Sequence, residues 1–140
     1  MINPTNLKLE LKHLAPYLPH RLELIFLKSG RRITMLSCFF DSDTLHVVDK
    51  NEGNEYPLTI WDFKPIMRPL SDLTKGIEIY NTITVPIDYI STSKANSQKI
   101  MRRVAHNLPL DNLEYWQVER LFELHFDVFG LIESGLAVKK

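Results

Sequence analysis

LDNLEYWQVERLFELHFDVFGLIESGL, Leu110 to Leu136, decides the expected fold class, because its apolar residues recur at helical steps. Val118, Leu121, Phe122, His125, Phe129 and Ile132 fall three or four residues apart and predict one helical face turned to a core. Trp116, Leu124, Phe126, Val128 and Leu131 widen that arc beyond what a surface helix hides, which predicts packing against more than one neighbour. Asp111 followed by Glu114 has capping-box spacing, with Leu110 and Tyr115 placed to staple the entry, and Pro109 separates this helix from what precedes it. At the far end Gly135 suits the left-handed residue that closes a helix, with Leu136 folding back on Leu131. Gly130 is discordant, since a glycine inside a helix costs about 1 kcal/mol relative to alanine. The pattern therefore predicts a kink there, or another backbone passing close by.

Upstream, Leu7 to Ala15 reads as a short amphipathic helix stopped by Pro16. Arg21 to Lys28 and Arg31 to Phe40 read as strands joined at Ser29-Gly30, and Thr44 to Asp49 as a third strand after the turn Asp41-Ser42-Asp43. In Tyr56 to Leu70 the prolines Pro57, Pro65 and Pro69 withhold ladder donors. A short strand or turn over Leu58 to Trp61 is expected there, followed by an extended stretch laid over the core by Ile66, Met67 and Leu70. Asp72 to Tyr80 reads as a helix capped by Ser71, or alternatively Ile77 to Val85 as a strand, with a turn at Asn81-Thr82. Pro86 to Tyr89 is a connector, and Lys94 to Asn107 a helix capped by Ser93 with Ala95, Ile100 and Val104 inward. The expected fold is one α+β domain over residues 1–140: an antiparallel three- to four-stranded meander packed against a long C-terminal helix and two or three shorter helices.

The 140 residues suit one core. Apolar residues at 44% and charged residues at 24% argue against disorder or a fibrous repeat. Lys plus Arg equals Asp plus Glu at 17 each, so the overall charge favours neither nucleic acid nor membrane and leans toward specific association, including an oligomer. Cys38 stands alone, which excludes an internal disulfide and a thiolate metal site and fits a reducing interior. No run is long enough to cross a bilayer, and a cytoplasmic protein without a membrane partner is expected.

His13, His20, His46, His106 and His125 are scattered, and no spacing sets two of them on one helical face to ligate a metal. His125 falls on the apolar stripe and is expected as a buried, hydrogen-bonded histidine, and Cys38 as a small core hydrophobe. Arg68, Asp62 and Asp72 form a polar group better suited to ion pairing or a surface loop than to catalysis. No catalytic residue, cofactor or metal is predicted. The one basic cluster, Lys94, Lys99, Arg102 and Arg103, supplies candidate nucleic-acid contacts, although the nearby acidic residues and overall neutrality favour a solvated helix face. Trp116, Phe126 and Val128, on the widened arc, are the candidate partner contacts.

Three phrases, LKHLAPYLP at Leu11 to Pro19, KPIMRPLSDLTKGIE at Lys64 to Glu78 and ELHFDVFGLIESGLAV at Glu123 to Val138, occur here in one order. In them the chain resembles a family of short uncharacterised proteins from phage and mobile-element regions of Bacteroidota genomes. The resemblance departs at Gly76 and at Asn81-Thr82, where the family has a glutamate and an Asn-Gly turn. It implies a phage context and transfers no catalytic residue. The expectation is a small non-enzymatic interaction protein with a protein partner or self-association, the alternative being a nucleic-acid-associated accessory factor that uses the basic helix face.

Overall fold

A computed structural model describes residues 9–41, 44–50, 55–58, 63–110 and 112–140. The chain enters through a single helical turn, α1 (Leu11–Leu14), which tightens into a 3-10 stretch over Ala15–His20. Pro16 and Pro19 explain the change, because neither can donate the amide that a continuing α-helix requires. The helix expected from Leu7 to Ala15 is thus helical over four of its described residues, and Leu7 and Lys8 lie outside them. Tyr17 from the 3-10 stretch is fully buried.

Five antiparallel strands follow: β1 (Glu23–Phe26), β2 (Arg32–Asp41), β3 (Thr44–Asp49), β4 (Glu55–Leu58) and β5 (Phe63–Met67). The turn at Ser29-Gly30 is closed by the Gly30 amide on the Phe26 carbonyl at 2.8 Å, and Gly30 has the positive φ of 70° that glycine tolerates. The expected turn at Asp41-Ser42-Asp43 falls partly on residues outside the described ones. β5 returns to pair with β1 and sits within the sheet, where proline spacing had suggested a covering stretch. Pro65 is tolerated because the Met67 carbonyl, two residues along and pointing the same way, faces away from β1 toward the Lys140 amide. The donor missing at Pro65 is on that side too, where no partner strand pairs with it.

Residues 70–84 combine the two readings of the sequence. A 3-10 turn over Leu70–Thr74 leads into a hairpin of β6 (Ile77–Ile79) and β7 (Thr82–Thr84). The hairpin turns at Tyr80-Asn81, both at positive φ, one residue before the expected turn. Pro86–Ile90 is a short helix, α2, where a connector was expected. α3 (Lys94–Ala105) has the expected cap, Ser93 Oγ accepting from the Asn96 amide at 3.1 Å.

The long C-terminal helix is the main correction. α4 spans only Tyr115–Glu123, with its capping box on Glu114 and Gln117, three residues beyond the expected pair. It ends because His125 takes the left-handed conformation (φ 64°), the Phe126 amide bonds back to the Leu121 carbonyl and the His125 amide to that of Phe122. Phe126, 0% exposed, then forms a bridge to Arg68 beside β5. Gly130 (φ 72°) is a turn residue outside any helix, which removes the anomaly seen in the pattern. Gly135 (φ 76°) closes a single turn in the expected way, with the Leu136 amide on the Leu131 carbonyl at 2.8 Å. The last strand, β8 (Val138–Lys139), runs parallel to β5. The main sheet has the order β4-β3-β2-β1-β5-β8: β1 to β4 run as an antiparallel meander, and β5 and β8 extend it beyond the three to four strands expected.

Two apolar clusters result. One joins the 3-10 stretch to the inner sheet face through Tyr17, Leu24, Met35 and Phe63, together with Leu131. The other joins α2, α3 and α4 through Ile90, Ile100, Leu121 and Phe126. α4 serves both, Leu121 in the second cluster and Phe122 stacked edge-on to Tyr17 at 4.9 Å in the first. A helix of nine residues therefore does have two packing neighbours. The width of the apolar arc came from counting residues 124–136 as helix.

Candidate functional site

Three separated segments enclose an open groove of about 470 Å³: the chain around Pro69 and Leu70, the turn after α3 from Val104 to Leu110, and the loop from Asp127 to Glu133. Its walls are chiefly apolar, and Leu108 (48% exposed) and Phe129 (44% exposed) present large side chains to solvent there. The α3 side is built by Asn107 in the left-handed conformation (φ 53°), whose amide bonds Val104 while the Leu108 amide bonds Arg103. That reversal turns Leu108 out of the helix path and into the groove wall.

The opposite wall hangs on Asp127, which is 6% exposed. One carboxylate oxygen accepts the Leu131 amide and the other the Ile132 amide, each at 2.8 Å. The Asp127 amide donates to the Arg68 carbonyl, tying the loop to β5. Tyr17 completes the support, its hydroxyl donating to the Phe126 carbonyl, and burial pushes that phenol far above its ordinary range.

The three candidate partner contacts separate. Val128 lines the groove. Phe126 is buried, so it belongs to the core and cannot meet a partner. Trp116 is half-buried elsewhere, in a patch where the Arg120 guanidinium lies 4.3 Å from the Tyr89 ring centre and 4.8 Å from that of Trp116. The Glu123 carboxylate accepts from both Tyr89 and Tyr80, and Arg120 also donates to the Tyr89 carbonyl. Tyr80, 78% exposed, tops this patch, and its phenol is pushed up to about 12 first by the hydrogen bond to Glu123. Sequence reading missed the patch because its members come from a hairpin turn, α2 and α4.

On α3, Lys94, Lys99 and Arg102 are exposed, whereas Arg103 is half-buried with Nε on the Pro109 carbonyl at 2.7 Å. Arg103 thus helps hold the groove rim. Ala95, expected inward, is exposed. Asp62 lies outside the described residues. Asp72 pairs with Lys75 at 2.8 Å, and Arg68 Nε donates to the Leu124 carbonyl at 3.1 Å. His125 is hydrogen-bonded as expected, Nε2 to the His20 carbonyl at 2.6 Å, and burial holds its pKa down. Burial likewise pushes the half-buried Cys38 thiol up, away from nucleophilic use. Among the described residues no three His, Cys, Asp or Glu side chains gather as a metal-holding group. None of the described helices is long and apolar enough to cross a membrane.

The fold is α+β, with the groove on its surface. No family model, curated protein or solved structure matches the chain.

Proposed function

We propose that this chain is a small non-enzymatic interaction protein of phage or mobile-element origin, which takes a short apolar element of a protein partner into the groove between the α3 turn and the Asp127–Glu133 loop. The observation that carries this reading is the exposure of Leu108 and Phe129 on the walls of one groove, beside Val128. A groove held open by satisfied backbone and carboxylate bonds is preorganised, so little ordering cost opposes a partner. Glu133 on its lining gives a polar group at which register can be fixed. The phage context is supported by the resemblance in the three phrases quoted above.

The test compares partner capture and self-association of the wild-type chain with Leu108→Asp and Phe129→Asp, using Tyr115→Asp as a control at an exposed aromatic that does not line the groove. Loss of association in the first two variants only, with unchanged melting, supports the reading. Equal association in all four proteins refutes it. A second reading, a nucleic-acid-associated factor using α3, is favoured by the exposure of Lys94, Lys99 and Arg102. It predicts salt-sensitive binding that Lys99→Glu with Arg102→Glu removes.

A further inference from the structure

The outer face of the sheet carries an unbalanced group of charges that the groove does not use. Leu24 and Phe26 of β1, with Leu22 just before it, face the first apolar cluster, so Glu23 and Ile25 lie on the other face. Glu23 pairs with Thr34 and Ile25 with Arg32, while Ile25 pairs with Lys64 on the other side. By the same register Glu23 stands opposite Ile66, which pairs with Val138 and is 1% exposed, so the face is covered at its middle, and the next positions along it are the partly exposed Arg68 and Lys140. Arg32, Lys64 and Arg68 thus occupy positions diagonal to Glu23, where long side chains reach one another. Lys140 Nζ lies 4.0 Å from a Glu23 carboxylate oxygen, with the two side chains 29% and 36% exposed.

Four cationic side chains are therefore placed around the Glu23 side chain, with Lys140 measured nearest to it. Asp72, the other acid that acts on Arg68, is engaged by Lys75 at 2.8 Å. The Arg68 side chain spends only Nε, on the Leu124 carbonyl at 3.1 Å, leaving its two terminal amino groups without a hydrogen bond to the described residues. Arg32 is exposed.

We propose that this face, around Glu23 and between β1, β2, β5 and β8, binds a phosphate group. Arg68 and Arg32 supply fork-shaped donors, and Lys140 and Lys64 flank them. A dianion suits the site better than a single carboxylate, because the positive excess is more than one unit and a guanidinium matches phosphate oxygens in pairs. The same excess acts on the groups already there. Burial and then repulsion from Arg68 hold the Lys140 pKa down, despite the opposing pull of Glu23. At His125 burial again leads, the hydrogen bond to the His20 carbonyl and Glu23 oppose it, and Lys140 and Arg68 add to it.

The full chain is titrated with inorganic phosphate at ionic strength held constant with chloride, and backbone and His125 imidazole resonances are followed by NMR. Saturable shifts confined to Glu23, Arg32, Lys64, Arg68, Lys140 and their neighbours are expected, with the His125 pKa rising as the dianion binds. Arg68→Gln and, independently, the exposed Arg32→Gln should each weaken binding about tenfold, the loss expected for one charge-assisted hydrogen bond. Glu23→Gln should strengthen it. Shifts that do not saturate, that acetate reproduces, or that survive intact in a folded Arg32→Gln protein overturn the proposal. A phosphate monoester and a short single-stranded oligonucleotide then separate the sources of the group. Competition by the oligonucleotide, lost in Arg32→Gln, assigns a nucleic-acid backbone, and competition by the monoester alone assigns a small phosphorylated ligand. Competition by neither overturns the site.

Discussion

Asp127→Ala tests whether one buried carboxylate holds the groove wall in place. The carboxylate receives two amides, from Leu131 and Ile132, at 2.8 Å each. Leu131 is 3% exposed, so its amide cannot turn to water when the acceptor is removed. A hydrogen bond to a charged group is worth about 1.5–3 kcal/mol, and a stranded buried donor costs roughly as much. Allowing for partial collapse of the loop, the substitution should destabilise the chain by about 3 kcal/mol. For a domain of this size that is a fall in melting temperature of roughly 10 °C. Asp127→Asn should lie near half that, because one oxygen remains while the new amide group faces a backbone donor. Urea unfolding by circular dichroism is the assay: the midpoint should fall while the denaturant slope stays the same. A loss below about 0.5 kcal/mol for Asp127→Ala would show that the loop holds itself without the carboxylate, and the preorganised groove would go with it.

Phe126→Ala should cost about 3–5 kcal/mol, since it empties a fully buried ring position in the helical cluster; an unfolding midpoint within experimental scatter of wild type would contradict its placement in the core. Burial holds the His125 pKa below 6.5, so as pH falls the unfolded chain takes up that proton first. Its contribution to stability is complete above about pH 6.5 and is lost as pH drops through the folded value. Urea midpoints measured from neutral to mildly acid pH should therefore decline more steeply for wild type than for His125→Gln, and parallel curves would refute the assignment. His13, also lowered by burial, titrates in the same window, so only the difference between the two proteins is diagnostic. In Glu123→Gln the Tyr80 phenol should return from about 12 toward its ordinary 10.0, read by ultraviolet titration; an unchanged value would detach Tyr80 from Glu123.

Elements fixed by local chemistry were legible in the sequence. Thr44 to Asp49 is a strand with the expected bounds, and Ser93 caps α3 as its spacing implied. Ser29-Gly30 and Gly135 adopt their turns because glycine signals a left-handed backbone before any tertiary contact is known. Two expected element ends failed where a non-glycine residue takes that conformation. His125 ends α4 and Tyr80 reverses the hairpin one residue early, both at positive φ. Histidine and tyrosine signal it far more weakly than glycine, so α4 could not be seen to stop at Glu123. The apolar run beyond it then reads as more helix, although Phe126 and Leu131 are buried in different clusters.

His125 shows why the missing signal is tertiary. A left-handed non-glycine residue costs about 1–2 kcal/mol and needs compensation from outside its own segment. Here it is compensated by three bonds to distant parts of the chain: Nε2 to the His20 carbonyl, the Arg68 amide to its own carbonyl, and the neighbouring Asp127 amide to the Arg68 carbonyl. The partners are 105 residues away in one case, so no window along the sequence contains the reason for the turn. The same dependence governs both proposed binding surfaces. Val128 reaches the groove wall because the chain leaves α4 at His125 and runs along β5, and the outer charges meet because β5 and β8 flank that exit. Had residues 124–136 continued as helix, the Asp127 carboxylate would have had no free amides ahead of it to bind, and Lys140 would not have been carried back to β5. The break in the helix is therefore the structural condition for a groove wall and for the charged sheet face, and it is the feature that periodicity alone hides most completely.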